Sequence, residues 1–413
     1  MGVARTAARI LSAVRNDAAR LLEVTFQDGS SGRYAYAWLR DNAPAPHTYN
    51  FSPRNRARRL LMSQLDPNPQ SVELVGGGLR IGWATDGSLD TVYSPAWLAR
   101  RNFSRPCFHK DRQTFHNCTE TVVHWGSAEG QQMIAQPVYW SRLLEDERYL
   151  RDALRQFLSQ GLLYIKQTPM DSGTVSLLGS HLGYLFNNHH GLSDANSSLF
   201  EVYAKADPNN LASTAEALNL HTDYPQYMNP PEVQILHVLQ QAGDGGESQF
   251  CDGFRVASQL KEERPEVYET LSKYAIEYLD WGEHRYPFQI AATKRVIQQD
   301  SSGALQAIFF NNAVRGWYYE APPEALPHIY EAVSLFNDYL YQPRNLLQMR
   351  MENGDMMMFA NNRVLHGRSA FRASKGMRRR LEGGYMSFDV IRSKIRILDQ
   401  TLNEAKHATY EME

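Results

Sequence analysis

The chain has 413 residues, of which 43% are hydrophobic and 21% charged, a composition typical of a folded globular protein with room for two domains. The formal net charge of −2, and the lack of an apolar run of the roughly 20 residues that a membrane span needs, argue against nucleic acid and membranes as partners. Three cysteines are too few for a disulfide framework, so we expect a cytoplasmic protein. The arginine-rich residues 1–20 leave mitochondrial import as an alternative.

The N-terminal part of the sequence is typical of short strands separated by turns. Residues 21–26 and 32–39 show strand patterns with a turn signal at Asp28-Gly29 between them, and further short strands follow to about residue 103. Residues 104–136 show no periodic pattern and are predicted to form an extended connection. We therefore predict a small N-terminal β domain, with its leader, over residues 1–115.

The C-terminal part mixes helical and strand patterns and is predicted to form one domain over residues 116–413. Apolar residues at helical spacing predict a helix from Val138 to Gln160 that ends at Gly161. The same criteria predict further helices over residues 174–185, 254–274, 326–341 and 390–404, and strands over residues 162–165, 233–238, 304–310, 355–360 and 379–388. This is a β-rich α+β pattern, which a double-stranded β-helix, or jelly roll, would satisfy.

Two histidines and one aspartate in this part predict a metal site. His221 and Asp223 form an H-x-D pair, whose side chains would point to the same side of a strand. His366 lies in a later segment, and we expect the two segments to face each other across a barrel. Two imidazoles and a carboxylate are the ligands of mononuclear non-haem iron(II) oxygenases, which keep positions open for a co-substrate and dioxygen. Because an H-x-D pair is common by chance, ordinary structural histidines remain the alternative.

Arg379 predicts an anion site in the same cavity. It follows His366 by thirteen residues, and strand parity places it on the same face as Tyr385. A buried guanidinium needs an anionic partner, which a dicarboxylate co-substrate would supply through a bidentate contact. A charged edge strand at residues 378–380 is the alternative. A zinc hydrolase with the same ligands is disfavoured because it gives Arg379 no such partner.

From about residue 135 onwards the sequence resembles the γ-butyrobetaine and trimethyllysine dioxygenase family, and is closer to the former. The matching stretches, in chain order, are Asp207-Pro-Asn-Asn-Leu-Ala, His221-Thr-Asp-Tyr-Pro, Pro230-Pro-Glu-Val-Gln-Ile-Leu-His, Gly245-Gly-Glu-Ser, Asp252-Gly-Phe, Phe310-Asn-Asn-Ala-Val-Arg, Asn362-Arg-Val-Leu-His-Gly-Arg and Arg379-Arg-Leu-Glu-Gly-Gly-Tyr. The N-terminal part resembles the accessory domain of the family through Ala37-Trp-Leu-Arg-Asp-Asn. Such a series of motifs in order strongly favours the iron site.

The resemblance implies iron(II) held by His221, Asp223 and His366, with 2-oxoglutarate chelated to it and the far carboxylate of 2-oxoglutarate on Arg379. Dioxygen, 2-oxoglutarate and a small zwitterion such as γ-butyrobetaine would yield succinate, carbon dioxide and the hydroxylated zwitterion. The alternatives are trimethyllysine, a trimethylammonium alkylphosphonate, a less methylated amine, or a non-catalytic jelly-roll protein that binds a small ligand. Family members often form homodimers, an assembly that the sequence itself does not show.

The resemblance also implies an aromatic cage for the trimethylammonium group, and amide contacts to the opposite carboxylate. The matching positions are Phe200, Tyr224 and Tyr385 for the cage and Asn210 and Asn311 for the carboxylate. Ser213 stands where family members carry a tyrosine. Because losing an aromatic face weakens a cation site by about 0.5–2 kcal/mol, we expect a reshaped cage.

Zinc is a second metal that the family suggests. Its accessory domain commonly holds zinc through cysteines that directly follow the motif at residues 37–42, but here that segment is Ala43-Pro-Ala-Pro-His47. We therefore expect no accessory zinc. Zinc-ligand residue types also occur at Cys107, His109, His116 and Cys118. Without a closer precedent for this spacing, we interpret them as surface residues on a loop.

Overall fold

The computed structural model describes residues 9–45, 49–50, 55–56, 68–83, 90–118, 121–187, 198–203, 214–281, 288–372 and 379–402. The described residues form two compact units that meet in the sequence between Asn117 and Cys118. The sequence places this boundary after residue 115. No helix in the described ranges has the length and apolar character required to cross a lipid bilayer.

The N-terminal unit is built from short antiparallel strands. They are β1 (Ile10–Asn16), β2 (Leu21–Phe26), β3 (Ser31–Ala35), β4 (Tyr49–Asn50), β5 (Asn55–Arg56), β6 (Pro69–Val75), β7 (Gly78–Trp83) and β8 (Thr91–Tyr93). Its helices are α1 (Tyr36–Asp41), α2 (Pro95–Arg100) and α3 (Phe108–Asn117). β1, β2 and β3 form one sheet and β6, β7 and β8 another. On β2 the alternate residues Leu22, Val24 and Phe26 are buried in the core of this unit, as the period of two predicts.

The second unit contains most of the strands. They are β9 (Val138–Tyr139), β10 (Leu162–Lys166), β11 (Leu199–Tyr203), β12 (Leu218–His221), β13 (Val233–Gln240), β14 (Asp244–Gly245), β15 (Ser248–Asp252), β16 (Ala275–Trp281), β17 (Gln289–Arg295), β18 (Ile297–Gln299), β19 (Leu305–Ile308), β20 (Arg315–Tyr319), β21 (Leu347–Met349), β22 (Met356–Ala360), β23 (Val364–Arg368), β24 (Phe371–Arg372) and β25 (Arg380–Met386). Its α-helices are α4 (Ser127–Ile134), α5 (Trp140–Glu145), α6 (Glu147–Gln160), α7 (Thr174–Leu182), α8 (Gly253–Glu263), α9 (Pro265–Lys273), α10 (Leu326–Leu340) and α11 (Phe388–Thr401). In the described part of this unit, short 3-10 helices span Asn312–Val314 and Pro323–Ala325.

Two sheets of this unit form the predicted jelly-roll sandwich. The larger sheet has the strand order β11-β25-β13-β22-β10-β9, and the smaller sheet the order β12-β23-β15-β21. Met357 and Phe359 on β22 point between the sheets, where the Phe359 ring lies 5.6 Å from that of Phe250 on β15. Met356 and Met358 point to the opposite face and pack with residues of α6, α7 and α11. Each face of β22 is therefore buried, which explains its uninterrupted apolar sequence.

The helices in the middle of the chain differ from the prediction in their boundaries. The stretch from Val138 to Gln160 is β9, α5 and α6 rather than one helix, because Asp146 caps a new helix by accepting the N–H of Tyr149 at 2.9 Å. Its end at Gly161, which has a φ of 73°, is confirmed. The predicted extended connection over residues 104–136 is wrong, since it contains α3 and α4. On α3, the one buried residue is Phe108, so no apolar stripe reveals this helix in the sequence.

A buried ion pair between Asp252 and Arg363 stabilises the second unit. The Arg363 Nε and Nη2 atoms donate to the two carboxylate oxygens at 2.9 and 2.8 Å. The same carboxylate accepts the backbone N–H groups of Trp125 and Phe254 at 3.0 and 3.1 Å. Asp252 is 0% exposed and Arg363 3% exposed, so neither charge has water as a substitute partner.

We expect Asp252→Ala to lower the free energy of unfolding by about 3–5 kcal/mol, because it leaves the Arg363 guanidinium buried without its anion. Urea unfolding followed by circular dichroism measures this change. Glu201→Ala is the matched control, since it removes the carboxylate of an exposed pair with Arg380 and should cost about 1 kcal/mol or less. Equal losses in the two variants would contradict the special contribution of the buried pair.

Candidate active site

The two predicted histidine ligands lie side by side in the smaller sheet. His221 ends β12, His366 is in the middle of β23, and the two are opposite partners in the antiparallel register. Their neighbours Leu220 and Leu365 pack outside the sandwich with helix residues, so strand alternation directs both imidazoles between the sheets. The expectation that the two segments face each other across a barrel was therefore wrong, because they are adjacent strands of one sheet.

Asp223 lies beside the two histidines, but it is positioned differently from the prediction. β12 ends at His221, so the carboxylate is not positioned by strand alternation but by Asn361. The Asp223 N–H donates to Asn361 Oδ1 at 2.7 Å, and Asn361 Nδ2 donates to the carbonyls of Asp223 and Pro231 at 2.9 and 2.8 Å. The next residue, Tyr224, has a φ of 60°, a left-handed conformation that is strained for a residue with a side chain. The turn is thus held by the buried amide of Asn361.

These three side chains have a geometry that fits one metal ion. Their ligand atoms all lie within 4.8 Å of one another, and we call the group of His221, Asp223 and His366 the metal triad. Asp223 Oδ1 is 3.2 Å from His221 Nε2, and Asp223 Oδ2 is 3.9 Å from His366 Nε2. Ligand atoms at right angles around an ion, each about 2.1 Å from it, are about 3 Å apart. Two nitrogens and one carboxylate are the donor set that suits Fe(II) with open positions.

The protonation of the triad also suits a metal. His221 Nδ1 donates to the Asn219 carbonyl at 2.7 Å, which directs Nε2 toward the carboxylate. Burial, with the nearby His221, lowers the pKa of His366 to about 3 and keeps this imidazole neutral. Burial raises the pKa of Asp223, but the side-chain interaction with His221 and the hydrogen bond from Tyr385 outweigh it, so the pKa of Asp223 is lowered and the carboxylate is ionised. An ionised carboxylate and a neutral imidazole are the forms that bind metals.

Arg379 is buried without an acidic partner among the described residues. It is 5% exposed, and its Nε atom has no hydrogen-bond partner in the described part of the chain. Burial, together with the charge of Arg368, lowers the pKa of Arg379 to about 9, so the guanidinium stays charged at neutral pH. Arg368 is itself 4% exposed, and its Nη2 atom donates to the carbonyls of Thr214 and Glu216 at 3.0 and 2.5 Å. Two buried guanidinium groups in this arrangement create a site for an anion.

An aromatic cluster borders the metal triad. The ring of Tyr385 stacks on that of Phe200 at a centroid distance of 5.0 Å and meets that of Tyr224 nearly edge-on at 5.1 Å. The Tyr385 hydroxyl donates to Asp223 Oδ2 at 2.7 Å, so this ring lies beside a predicted metal ligand. Tyr224 also contacts Tyr227 at 4.9 Å. The structure thus brings together the three predicted aromatic residues and adds Tyr227.

The predicted polar contacts are described only in part. Asn311 lies beside the triad, because its Nδ2 atom donates to the Thr222 carbonyl at 3.4 Å and the preceding Phe310 N–H donates to Thr222 Oγ1 at 3.0 Å. Thr222 is the residue between the ligands His221 and Asp223. The other two predicted contacts lie outside the described residues and stay predictions; they are Asn210 and Ser213.

The four residues considered for zinc lie on α3 or directly next to it in the sequence. His109 and His116 lie on α3, Cys107 precedes this helix, and the Cys118 thiol donates to the Arg392 carbonyl at 3.6 Å. Among the described residues, the metal triad is the one group of at least three histidine, cysteine or acidic side chains close enough to bind a metal ion. The interpretation as surface loop residues was wrong in two respects, since the segment is helical and Cys118 is buried.

Sequence reasoning missed Arg368 and Asn361 as residues of the site. Both occur in the segment that carries His366, and both are buried polar residues next to apolar strand residues. A buried polar side chain is costly without a partner, so polar residues that directly adjoin an apolar strand segment are the signal that could have identified them. Tyr227 offered no such signal, because its ring contact depends on the turn after Asp223.

Two family models match the sequence. Residues 128–385 match the taurine catabolism dioxygenase TauD, TfdA family, and residues 14–99 match the N-terminal region of gamma-butyrobetaine hydroxylase-like proteins. The match to the first model contains the metal triad, Arg379 and the aromatic cluster.

Similar curated proteins cover nearly the whole chain. Gamma-butyrobetaine dioxygenase of Homo sapiens is 30% identical over 385 residues, which are 93% of this chain and 96% of that protein. The enzyme of the same name from Pseudomonas sp. (strain AK-1) is 29% identical, with 92% and 94% covered. Mitochondrial trimethyllysine dioxygenase of Homo sapiens is 26% identical, with 89% and 83% covered. A solved structure of a putative alpha-ketoglutarate-dependent taurine dioxygenase from Burkholderia xenovorans overlaps 59% of this chain and 83% of that chain, at 12% identity and a TM-score of 0.45, which is too distant to add to these matches.

Proposed function

Because this chain belongs to the taurine catabolism dioxygenase TauD, TfdA family, we propose that it hydroxylates a small zwitterion with a trimethylammonium group, and that this substrate is γ-butyrobetaine. The chain is an Fe(II)- and 2-oxoglutarate-dependent dioxygenase. In the proposed reaction, 2-oxoglutarate, dioxygen and a substrate C–H bond give succinate, carbon dioxide and a C–OH group, so one oxygen atom enters each organic product.

Each member of the metal triad has a defined part in this proposal. His221 and His366 would present their Nε2 atoms, and Asp223 a carboxylate oxygen, to one face of the ion. Bound Fe(II), with 2-oxoglutarate as the reductant, supplies the activation of dioxygen that C–H hydroxylation needs. The two hydrogen bonds between Asn361 and the Asp223 backbone, and the one from His221 Nδ1 to the Asn219 carbonyl, position the ligands and so reduce the rearrangement needed on metal binding.

Arg379 would bind the carboxylate of 2-oxoglutarate that is far from the metal. Its buried guanidinium has no acidic partner among the described residues, and a bidentate carboxylate would satisfy it. Arg368 would strengthen this contact through its charge. In this proposal, a dicarboxylate co-substrate would bind the guanidinium group with one end and the metal with the other.

The aromatic cluster carries the proposal for the substrate. Because the Tyr385 hydroxyl contacts Asp223, a cation bound on the ring faces of Phe200, Tyr224 and Tyr385 would lie close to the metal. Such faces attract quaternary ammonium groups by cation–π interaction. The identity of 30% to a gamma-butyrobetaine dioxygenase, against 26% to a trimethyllysine dioxygenase, favours γ-butyrobetaine. Ser213, in place of an aromatic residue, keeps a phosphonate analogue, trimethyllysine or a less methylated amine as alternatives.

A comparison of matched substrates tests this proposal. Succinate formation from 2-oxoglutarate would be measured with Fe(II) and each of γ-butyrobetaine, trimethyllysine, the phosphonate analogue of γ-butyrobetaine and its dimethylamino analogue. We expect γ-butyrobetaine to give the highest kcat/KM. A neutral control, in which a tert-butyl group replaces the trimethylammonium group, should lose about 2- to 30-fold, because it keeps the shape without the charge. An equally good tert-butyl substrate would contradict the cation site.

The assembly and the cellular location of the protein belong to the same proposal. We expect a homodimer because members of the resembling family often form one. We expect a cytoplasmic location because three cysteines are too few for a disulfide framework. Light scattering of the purified protein and fractionation of cells would check these two predictions.

A further inference from the structure

Tyr385 contacts two parts of the active site at once. Its hydroxyl donates to Asp223 Oδ2 at 2.7 Å, whereas Asp223 Oδ1 lies 3.2 Å from His221 Nε2. The two carboxylate oxygens therefore have different partners. On the other side, the ring of Tyr385 stacks on Phe200 and borders Tyr224, where the proposed substrate cation would bind.

The surroundings of Tyr385 leave its hydroxyl little freedom. The residue is 3% exposed and lies on β25, which pairs with β11 on one side and β13 on the other. Its carbonyl accepts the N–H of Phe186 at 2.7 Å. At Gly383, two residues earlier, a Cβ atom would lie 2.3 Å from the Phe200 ring, so this glycine lets Phe200 lie against the strand beside Tyr385. A ring held in this way can move its hydroxyl only if the sheet or the aromatic cluster moves as well.

We propose that Tyr385 is a positioning residue for the metal centre. Its hydroxyl fixes the Asp223 carboxylate for metal binding. Because its ring would also contact the substrate, substrate binding would influence the position of that carboxylate. A buried carboxylate without this donor would rotate between the two histidines and lose one hydrogen bond. The part of the inference that concerns the substrate rests on the proposed function. The part that concerns metal binding, called the metal side below, does not, because it applies to the protein without substrate.

Tyr385→Phe tests the metal side, because it keeps the ring and removes the hydroxyl. The metal-stripped full-length protein would be titrated with Mn(II), without 2-oxoglutarate or substrate, and followed by calorimetry. We expect the Mn(II) affinity to fall about tenfold or more, the usual effect of removing a group that orients a metal ligand. With γ-butyrobetaine present, the variant should form more succinate per molecule of hydroxylated product than the parent enzyme does.

Tyr278→Phe is the matched control. It also removes a buried phenol hydroxyl, which donates to the Phe309 carbonyl at 3.0 Å and not to the metal triad. We expect the control to lower the Tm of the metal-free protein without changing the Mn(II) affinity. An unchanged affinity in Tyr385→Phe, or an equal fall in both variants, would overturn the inference. If Tyr385→Phe binds Mn(II) weakly and no zwitterion is hydroxylated even by the parent, the positioning role stands and the proposed substrate fails.

Discussion

Replacing Asp223 with alanine is expected to abolish Fe(II)-dependent turnover of 2-oxoglutarate while the protein stays folded. The carboxylate is the one anionic ligand of the metal triad, and its loss leaves two imidazoles that cannot hold Fe(II) in the required facial arrangement. Removing an outer partner of a metal ligand typically costs about 10–100-fold, so removing the ligand itself should cost more. Succinate formation and the iron content of the purified variant measure the two effects.

Asp355→Ala is the control for this experiment. Asp355 is another buried carboxylate of the second unit, which accepts hydrogen bonds from Tyr164 and from the N–H of Glu352, and it lies outside the triad. We expect the control to lose stability but to keep its bound iron. Retained activity in Asp223→Ala, or equal loss of iron in both variants, would contradict the assignment of the ligand.

Replacing Arg379 with alanine is expected to raise the KM for 2-oxoglutarate by about one to two orders of magnitude and to leave metal binding intact. A charge-assisted hydrogen bond contributes about 1.5–3 kcal/mol, and each 1.4 kcal/mol is a tenfold change. The same change should not lower the Tm of the protein without its co-substrate. The reason is that it removes a buried guanidinium that has no acidic partner among the described residues. Succinate formation at varied 2-oxoglutarate concentrations gives the KM. Thermal unfolding of the protein without 2-oxoglutarate gives the Tm.

The neighbouring residue provides the control for Arg379. Arg380 points to the opposite side of β25, where it is exposed and pairs with Glu201 on β11. Arg380→Ala should therefore leave the KM for 2-oxoglutarate unchanged. Arg379→Lys should recover only part of the loss, because lysine keeps the charge but not the two parallel donors. A KM in Arg379→Ala equal to that of the parent would exclude this residue as the anion site.

The clustering of His221, Asp223 and His366 and the burial of Arg379 could be predicted from residue types and local spacing. An H-x-D pair and a later histidine specify a donor set whatever the exact course of the chain. Strand parity relates Arg379, which directly precedes β25, to Leu381 two residues later; both are buried, Leu381 between the two sheets. The fold class followed in the same way, from short strands with apolar periodicity and from the resemblance to a known family.

The arrangement of the ligand strands could not be predicted, because pairing between distant strands leaves no local pattern. That His221 and His366 are opposite partners depends on the register of the smaller sheet. The placement of Asp223 by Asn361 depends on a turn that ends the strand earlier than the H-x-D pattern suggests. Helix α3 was not predicted because most of its residues are exposed, so its sequence has no apolar stripe at helical spacing.

The fate of dioxygen is the most direct test of the proposed reaction. The purified protein, with Fe(II), 2-oxoglutarate and γ-butyrobetaine, would react under oxygen-18 gas, and mass spectrometry would follow succinate and the product. We expect one labelled oxygen atom in succinate, label in the hydroxylated product, and equal amounts of the two compounds. Succinate without label, or hydroxylation that proceeds without 2-oxoglutarate, would contradict a dioxygenase that uses this co-substrate.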